Sequence, residues 1–161
     1  MFSVNEILDM AIRIENNGEK VYRDTTEKLS QPDLISLLEW MADEEAKHAE
    51  WFSNLKNEAS ANSSNPFVEE MSRELFNDLL GEKNFSHEEV NFSKIGSIKE
   101  LFEIFIEFEK DTVLFYEMLQ PFIENEDTLA HLSKIIAEEN NHIAHLKESI
   151  GNTAALPAGT G

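Results

Sequence analysis

Apolar residues recur at helical spacing in four stretches of the chain, with polar residues filling the faces between them. Val4, Ile7, Leu8, Ala11, Ile12 and Ile14 predict an amphipathic helix over about 3–29. Leu34, Ile35, Leu37, Leu38, Met41 and Ala42 predict a second, from Pro32 to about residue 56. Pro32 suits a first helical turn, where its missing N–H costs nothing. Ile98, Leu101, Phe102, Phe105 and Ile106 mark a third helix, and Leu129, Leu132, Ile135, Ile136, Ile143 and Leu146 a fourth. Ser3 with Glu6, and Ser97 with Glu100, have capping-box spacing at the starts of the first and third helices. Gly151 is the expected C′ residue closing the fourth.

These elements group into two helical hairpins, 3–57 and 97–151, within one domain over 1–151. The connection between them, 58–96, begins with a small polar run and predicts a short amphipathic helix over 66–80, then a loop to Gly96. So long a connection inside a small domain needs a reason. An all-α four-helix bundle with one long crossover supplies it, because the chain must travel the bundle's length between its second and third helices. The last stretch, 152–161, is rich in Ala, Gly, Thr and Pro and is expected to be a disordered tail.

The two hairpins repeat each other in chemistry as well as in outline. A gapless shift of 94 residues carries Glu15, Tyr22, Glu45 and His48 onto Glu109, Tyr116, Glu139 and His142. The chain has two tyrosines, and both fall in the repeat. Glu15 and Glu45 are equidistant from Ser30, and Glu109 and Glu139 from Glu124. In an antiparallel hairpin each acid then sits about 22 Å from its turn, at mid-height. Glu45 and His48 are spaced i, i+3, as are Glu139 and His142, so each pair shares a helix face and can reach one ion. Four carboxylates and two imidazoles with internal two-fold symmetry form a ligand set for a pair of metal ions. Tyr22 and Tyr116, seven residues beyond Glu15 and Glu109, point inward as hydrogen-bond donors to ligand carboxylates and are the candidate catalytic groups.

Neighbouring residues carry less. Asp43, Glu44 and Glu138 flank the ligand positions on other helix faces and are expected as solvated charges. His145 is expected as a partly exposed helix residue, and His87 and His131 have no partner at ligand spacing. Phe102, Phe105, Phe108 and Phe115 are expected as core and site lining.

Composition narrows the function further. The chain has 161 residues, no cysteine, and 32 acidic residues against 13 basic, for a net charge of −19. No thiol nucleophile, zinc finger or iron–sulfur ligand is available. Such a surface repels nucleic acid and anionic lipid while attracting cations. The N-terminus lacks a basic n-region and no apolar run approaches a membrane span, so a cytoplasmic protein is expected.

The helices carrying IRIENNGEKVY, MADEEAKHAEWF, IEFEKDTVLFY and IAEENNHIAHL resemble the ligand helices of the ferritin-like di-iron carboxylate proteins, most closely the rubrerythrin branch. The resemblance covers about residues 3–150 and implies a ferritin-like bundle around two iron ions, with Mn or Zn as substitutes, roughly 3.5–4 Å apart. It assigns Glu15 and Glu109 as terminal carboxylates, Glu45 and Glu139 as bridges, and His48 and His142 as one cap per metal. It also implies peroxide or oxygen reduction, an external electron donor protein and a homodimer. Two departures stand out. The rubredoxin-like domain of many relatives needs four cysteines, and Thr112 occupies the place of a further third-helix Glu that moves iron in peroxide-reducing members. The second brings the site closer to the symmetric one of bacterioferritins. Two other readings stay open: a ferroxidase feeding an iron store, and a non-redox or structural helical interaction module.

Overall fold

The computed structural model describes residues 4–59 and 96–153. Among them lie four α-helices: α1 (Val4–Thr26), α2 (Pro32–Ala59), α3 (Ile98–Leu119) and α4 (Glu126–Thr153). A 3₁₀ turn, Gln120–Phe122, follows α3. The fold class is all-α, as the periodicity predicts. The expected crossover helix at 66–80 and the loop over 81–95 lie outside the described residues.

Local chemistry explains most of the helix ends. Pro32 opens α2 as predicted. Ser97 caps α3, its Oγ accepting from the Glu100 N–H at 3.1 Å. The Glu100 carboxylate turns back to accept from the Gly96 N–H at 2.9 Å, one residue before the reciprocal bond of a standard capping box. Ser3, predicted to cap α1, lies outside the described residues. Asn125 caps α4, with Oδ1 accepting from the Thr128 N–H at 2.9 Å. Gly151 is a correction. It lies inside α4, which runs on to Thr153, and its φ is not in the left-handed range a C′ glycine adopts. Asn152 and Thr153, expected in the tail, are helical, and the rest of that stretch lies outside the described residues.

The chain divides into two compact units. Among the described residues, the first holds α1 as far as Arg23 and α2 from Trp40 onward. Arg23 donates to Asp43 at 2.9 Å near the turn end, and Lys56 pairs with Asp9 at the far end. These two links fix α1 and α2 as antiparallel, with Glu15, Glu45 and His48 between them. Exposed pairs of this kind contribute little energy. Stability comes from the buried stripe: Ile7, Leu8, Ala11, Ile14 and Val21 on α1, and Met41, Ala42, Ala49 and Phe52 on α2. A fully buried large apolar side chain contributes about 1.5–3 kcal/mol.

The second unit holds the α1–α2 turn with its flanking helix ends, together with α3 and α4. Leu34 and Leu38 are buried on the start of α2. On α3 the buried stripe includes Phe102, Phe105, Phe108 and Phe115, all four expected as core, and on α4 it includes Leu132, Ile135, Ile143 and Leu146. Pro121 falls in the 3₁₀ turn, and Gln120 donates to Ser133 Oγ at 3.0 Å to brace the hairpin. No described helix is long and apolar enough to cross a membrane.

Candidate metal centre

Each unit brings three of the predicted residues together in its interior. In the first, Glu15 on α1 meets Glu45 and His48 on α2. Their candidate ligand atoms lie within 4.8 Å of one another. His48 Nδ1 stands 3.4 Å from Glu15 Oε2 and 3.9 Å from Glu45 Oε2. In the second, Glu109 on α3 meets Glu139 and His142 on α4 within the same 4.8 Å limit. His142 Nδ1 lies 3.6 Å from Glu109 Oε1 and 3.0 Å from Glu139 Oε2. All six residues are buried. The i, i+3 spacing accounts for the contact within α2 and within α4, and helix pairing inside each unit brings Glu15 to the α2 pair and Glu109 to the α4 pair.

Burying two carboxylates beside one imidazole is costly unless charge is balanced. The second unit shows how the metal-free cluster achieves this. Burial pushes the Glu109 carboxyl up to about 7, and neighbouring Glu139 pushes it the same way while His142 opposes both. Burial alone would lower His142, but hydrogen bonding and charge from Glu109 and Glu139 outweigh it and raise the imidazole to about 10. The cluster thus keeps protons at neutral pH, in a place where a cation would displace them. Two carboxylates match the charge of one divalent ion. A mixed carboxylate and imidazole set suits Fe, Mn or Zn. The donors present fit such a metal.

The remaining candidates fall into place around these clusters. Tyr22 and Tyr116 are completely buried, one in each unit. Thr112 is buried and donates its hydroxyl to Phe108 O at 3.1 Å. Asp43 is an exposed partner of Arg23, and Glu138 pairs with Lys134 at 3.7 Å. Glu44 differs from expectation. Its side chain is only 16% exposed, and it pairs with Lys47 at 3.1 Å while a carboxylate oxygen comes within 4.8 Å of a His48 nitrogen. His145 is exposed and His131 half-buried, while His87 lies outside the described residues. Sequence reasoning missed Gly18, where an added Cβ would come within 3.4 Å of Glu45 Cδ. The available signal was its position three residues beyond Glu15, on the ligand face of α1.

Comparison with a solved structure defines the class. A crystal structure from Thermotoga maritima, of a protein described as a ferritin-like diiron-carboxylate protein, superposes with a TM-score of 0.64 at 24% identity. The match covers 91% of this chain and 93% of that one, and it shows the fold to be ferritin-like. The Rubrerythrin family model matches residues 6–150, so the chain belongs to the rubrerythrin family. No curated protein matches the chain in sequence. Family and buried Glu/His clusters together point to a metal site.

Proposed function

We propose that Glu15, Glu45, His48, Glu109, Glu139 and His142 hold two iron ions, and that the protein reduces H2O2 or O2 in oxidative-stress defence or iron homeostasis. The observation carrying this reading is the pair of buried triads, identical in composition and spacing, on a chain of the rubrerythrin family. When bound, the iron pair would supply the two electrons that such a reduction takes. Glu15 and Glu109 would serve as terminal ligands, Glu45 and Glu139 as the shared carboxylates, and each histidine would hold one ion. Four carboxylates balance the charge of two divalent ions, which makes the centre tolerable in an apolar interior. Tyr22 and Tyr116 donate hydrogen bonds that orient ligand carboxylates. The reading includes an external electron donor protein that would restore the reduced metals. The reading includes a homodimer in the cytoplasm, which sedimentation and cell fractionation check.

Anaerobic loading with Fe(II), followed by stopped-flow reoxidation with H2O2 and O2 in parallel, tests it. Two irons per chain oxidised much faster by peroxide support peroxide reduction. Oxidation of many irons per chain by O2 would replace it with a ferritin-type ferroxidase. Failure to bind two irons would overturn the metal assignment.

A further inference from the structure

Gly18 breaks the internal symmetry at the point where it matters most for Glu45. A Cβ added at Gly18 would lie 3.4 Å from Glu45 Cδ, 3.5 Å from Cγ and 3.6 Å from Oε2. These are ordinary contact distances, so alanine fits the metal-free structure without a clash. A glycine inside a helix gives up backbone order that alanine would supply. Gly18 is buried within α1, and the fold does not require it there. Its effect is to leave a methyl-sized space against one flank of the carboxylate. The residue equivalent to Gly18 in the second half is Thr112, a filled and buried position.

The same half holds the looser triad. Two donors on one ion, each at about 2.1 Å, are separated by roughly 3.0 Å at a right angle and 3.4 Å at the tetrahedral angle. His142 with Glu139 at 3.0 Å and His48 with Glu15 at 3.4 Å already meet these separations. His142 with Glu109 at 3.6 Å and His48 with Glu45 at 3.9 Å both exceed them, the Glu45 pair by more. At those angles Glu45 is the carboxylate with furthest to move to share an ion with its histidine, and the space at Gly18 lies along its side.

We propose that Gly18 is a positioning residue, leaving room for Glu45 to reorient as metal enters, so that the two triads bind unequally. The inference rests on the two-metal reading above. The second half, with its pair at 3.0 Å, loads first; the Glu45 half loads second and depends on the space.

Titration of the full chain with Co(II), followed by its visible d–d bands and by calorimetry, tests this in the wild type and in Gly18→Ala. The expected wild-type result is two ions bound in two resolvable steps. In Gly18→Ala the metal-free protein melts at a higher temperature, the tighter step is unchanged, and the weaker step loses about tenfold in affinity, the scale typical of residues that support ligands. A weaker step that is unchanged or tightened in Gly18→Ala overturns the role of Gly18 and leaves the two-metal reading standing. A wild type that fails to bind two ions overturns that reading and this inference with it.

Discussion

His142 Nδ1 lies 3.0 Å from Glu139 Oε2, one turn away on α4, with neither side chain exposed to solvent. Glu109 Oε1 lies 3.6 Å from the same nitrogen, and against the effect of its burial this company raises the His142 imidazole to about 10. The metal-free cluster therefore survives on protons, and the same residues that would bind metal set the stability of the empty protein.

Removing the imidazole exposes this dependence. His142→Ala should destabilise the metal-free protein by about 3–5 kcal/mol, the usual cost of stranding a buried charge. Urea unfolding of the two proteins after chelation checks it. A loss below about 1 kcal/mol would mean that the carboxylates are neutralised without His142.

The pH dependence follows in sign from the two shifts. Glu109 is raised from 4.5 to about 7, so its stabilising proton is fully present below pH 4.5 and lost as pH rises through about 7. His142 is raised from 6.5 to about 10, so its contribution is complete below pH 6.5 and lost as pH rises through about 10. Both slopes run the same way, and the metal-free protein should melt at progressively lower temperature from pH 5 to pH 9. Calorimetry in chelator at several pH values measures this. Glu109→Gln should flatten the acidic part of the curve, and metal binding should tighten with rising pH because the cation no longer competes with those protons.

Metal stoichiometry separates the glutamates from ordinary acids. Glu45→Ala or Glu139→Ala should abolish stoichiometric binding of the second ion, as measured by elemental analysis after desalting. Exposed Asp43, substituted in the same way, should leave the count unchanged. Bound metal should also stabilise the wild type by about 2.7 kcal/mol at one hundred times its dissociation constant, an increment that chelator removes.

Most of the architecture was legible because helical periodicity and capping are local properties. The run from Ile98 to Ile106 predicted the buried face of α3, and Ser97 its start. The triads were legible for a related reason. Spacing of i, i+3 fixes Glu139 against His142, and equal distance from a turn sets Glu109 at the same height. Gly18 was not legible, because its approach to Glu45 depends on the rotation of α1 against α2, which neither helix's own pattern encodes. Glu44 was misjudged for a similar reason. Its face looked solvated on an isolated helix, yet the side chain is only 16% exposed in the fold.

Gly151 offers a direct test of the end of α4, which differed from expectation. A C′ glycine in the left-handed conformation resists substitution, since any Cβ there is strained, and alanine would cost about 1 kcal/mol. In the structure Gly151 is helical, exposed, and has no atom within 4 Å of an added Cβ. Alanine should then gain helix propensity, which reaches about 1 kcal/mol in a helix interior. The gain should be nearer 0.5 kcal/mol, roughly half that figure, because the site lies in the last turn of α4, where ends fray. For a domain of this size that corresponds to a rise of about 1–2 °C in Tm. Matched denaturant curves of wild type and Gly151→Ala resolve the sign. Stabilisation would place residue 151 in the helix, and destabilisation would restore it as the cap.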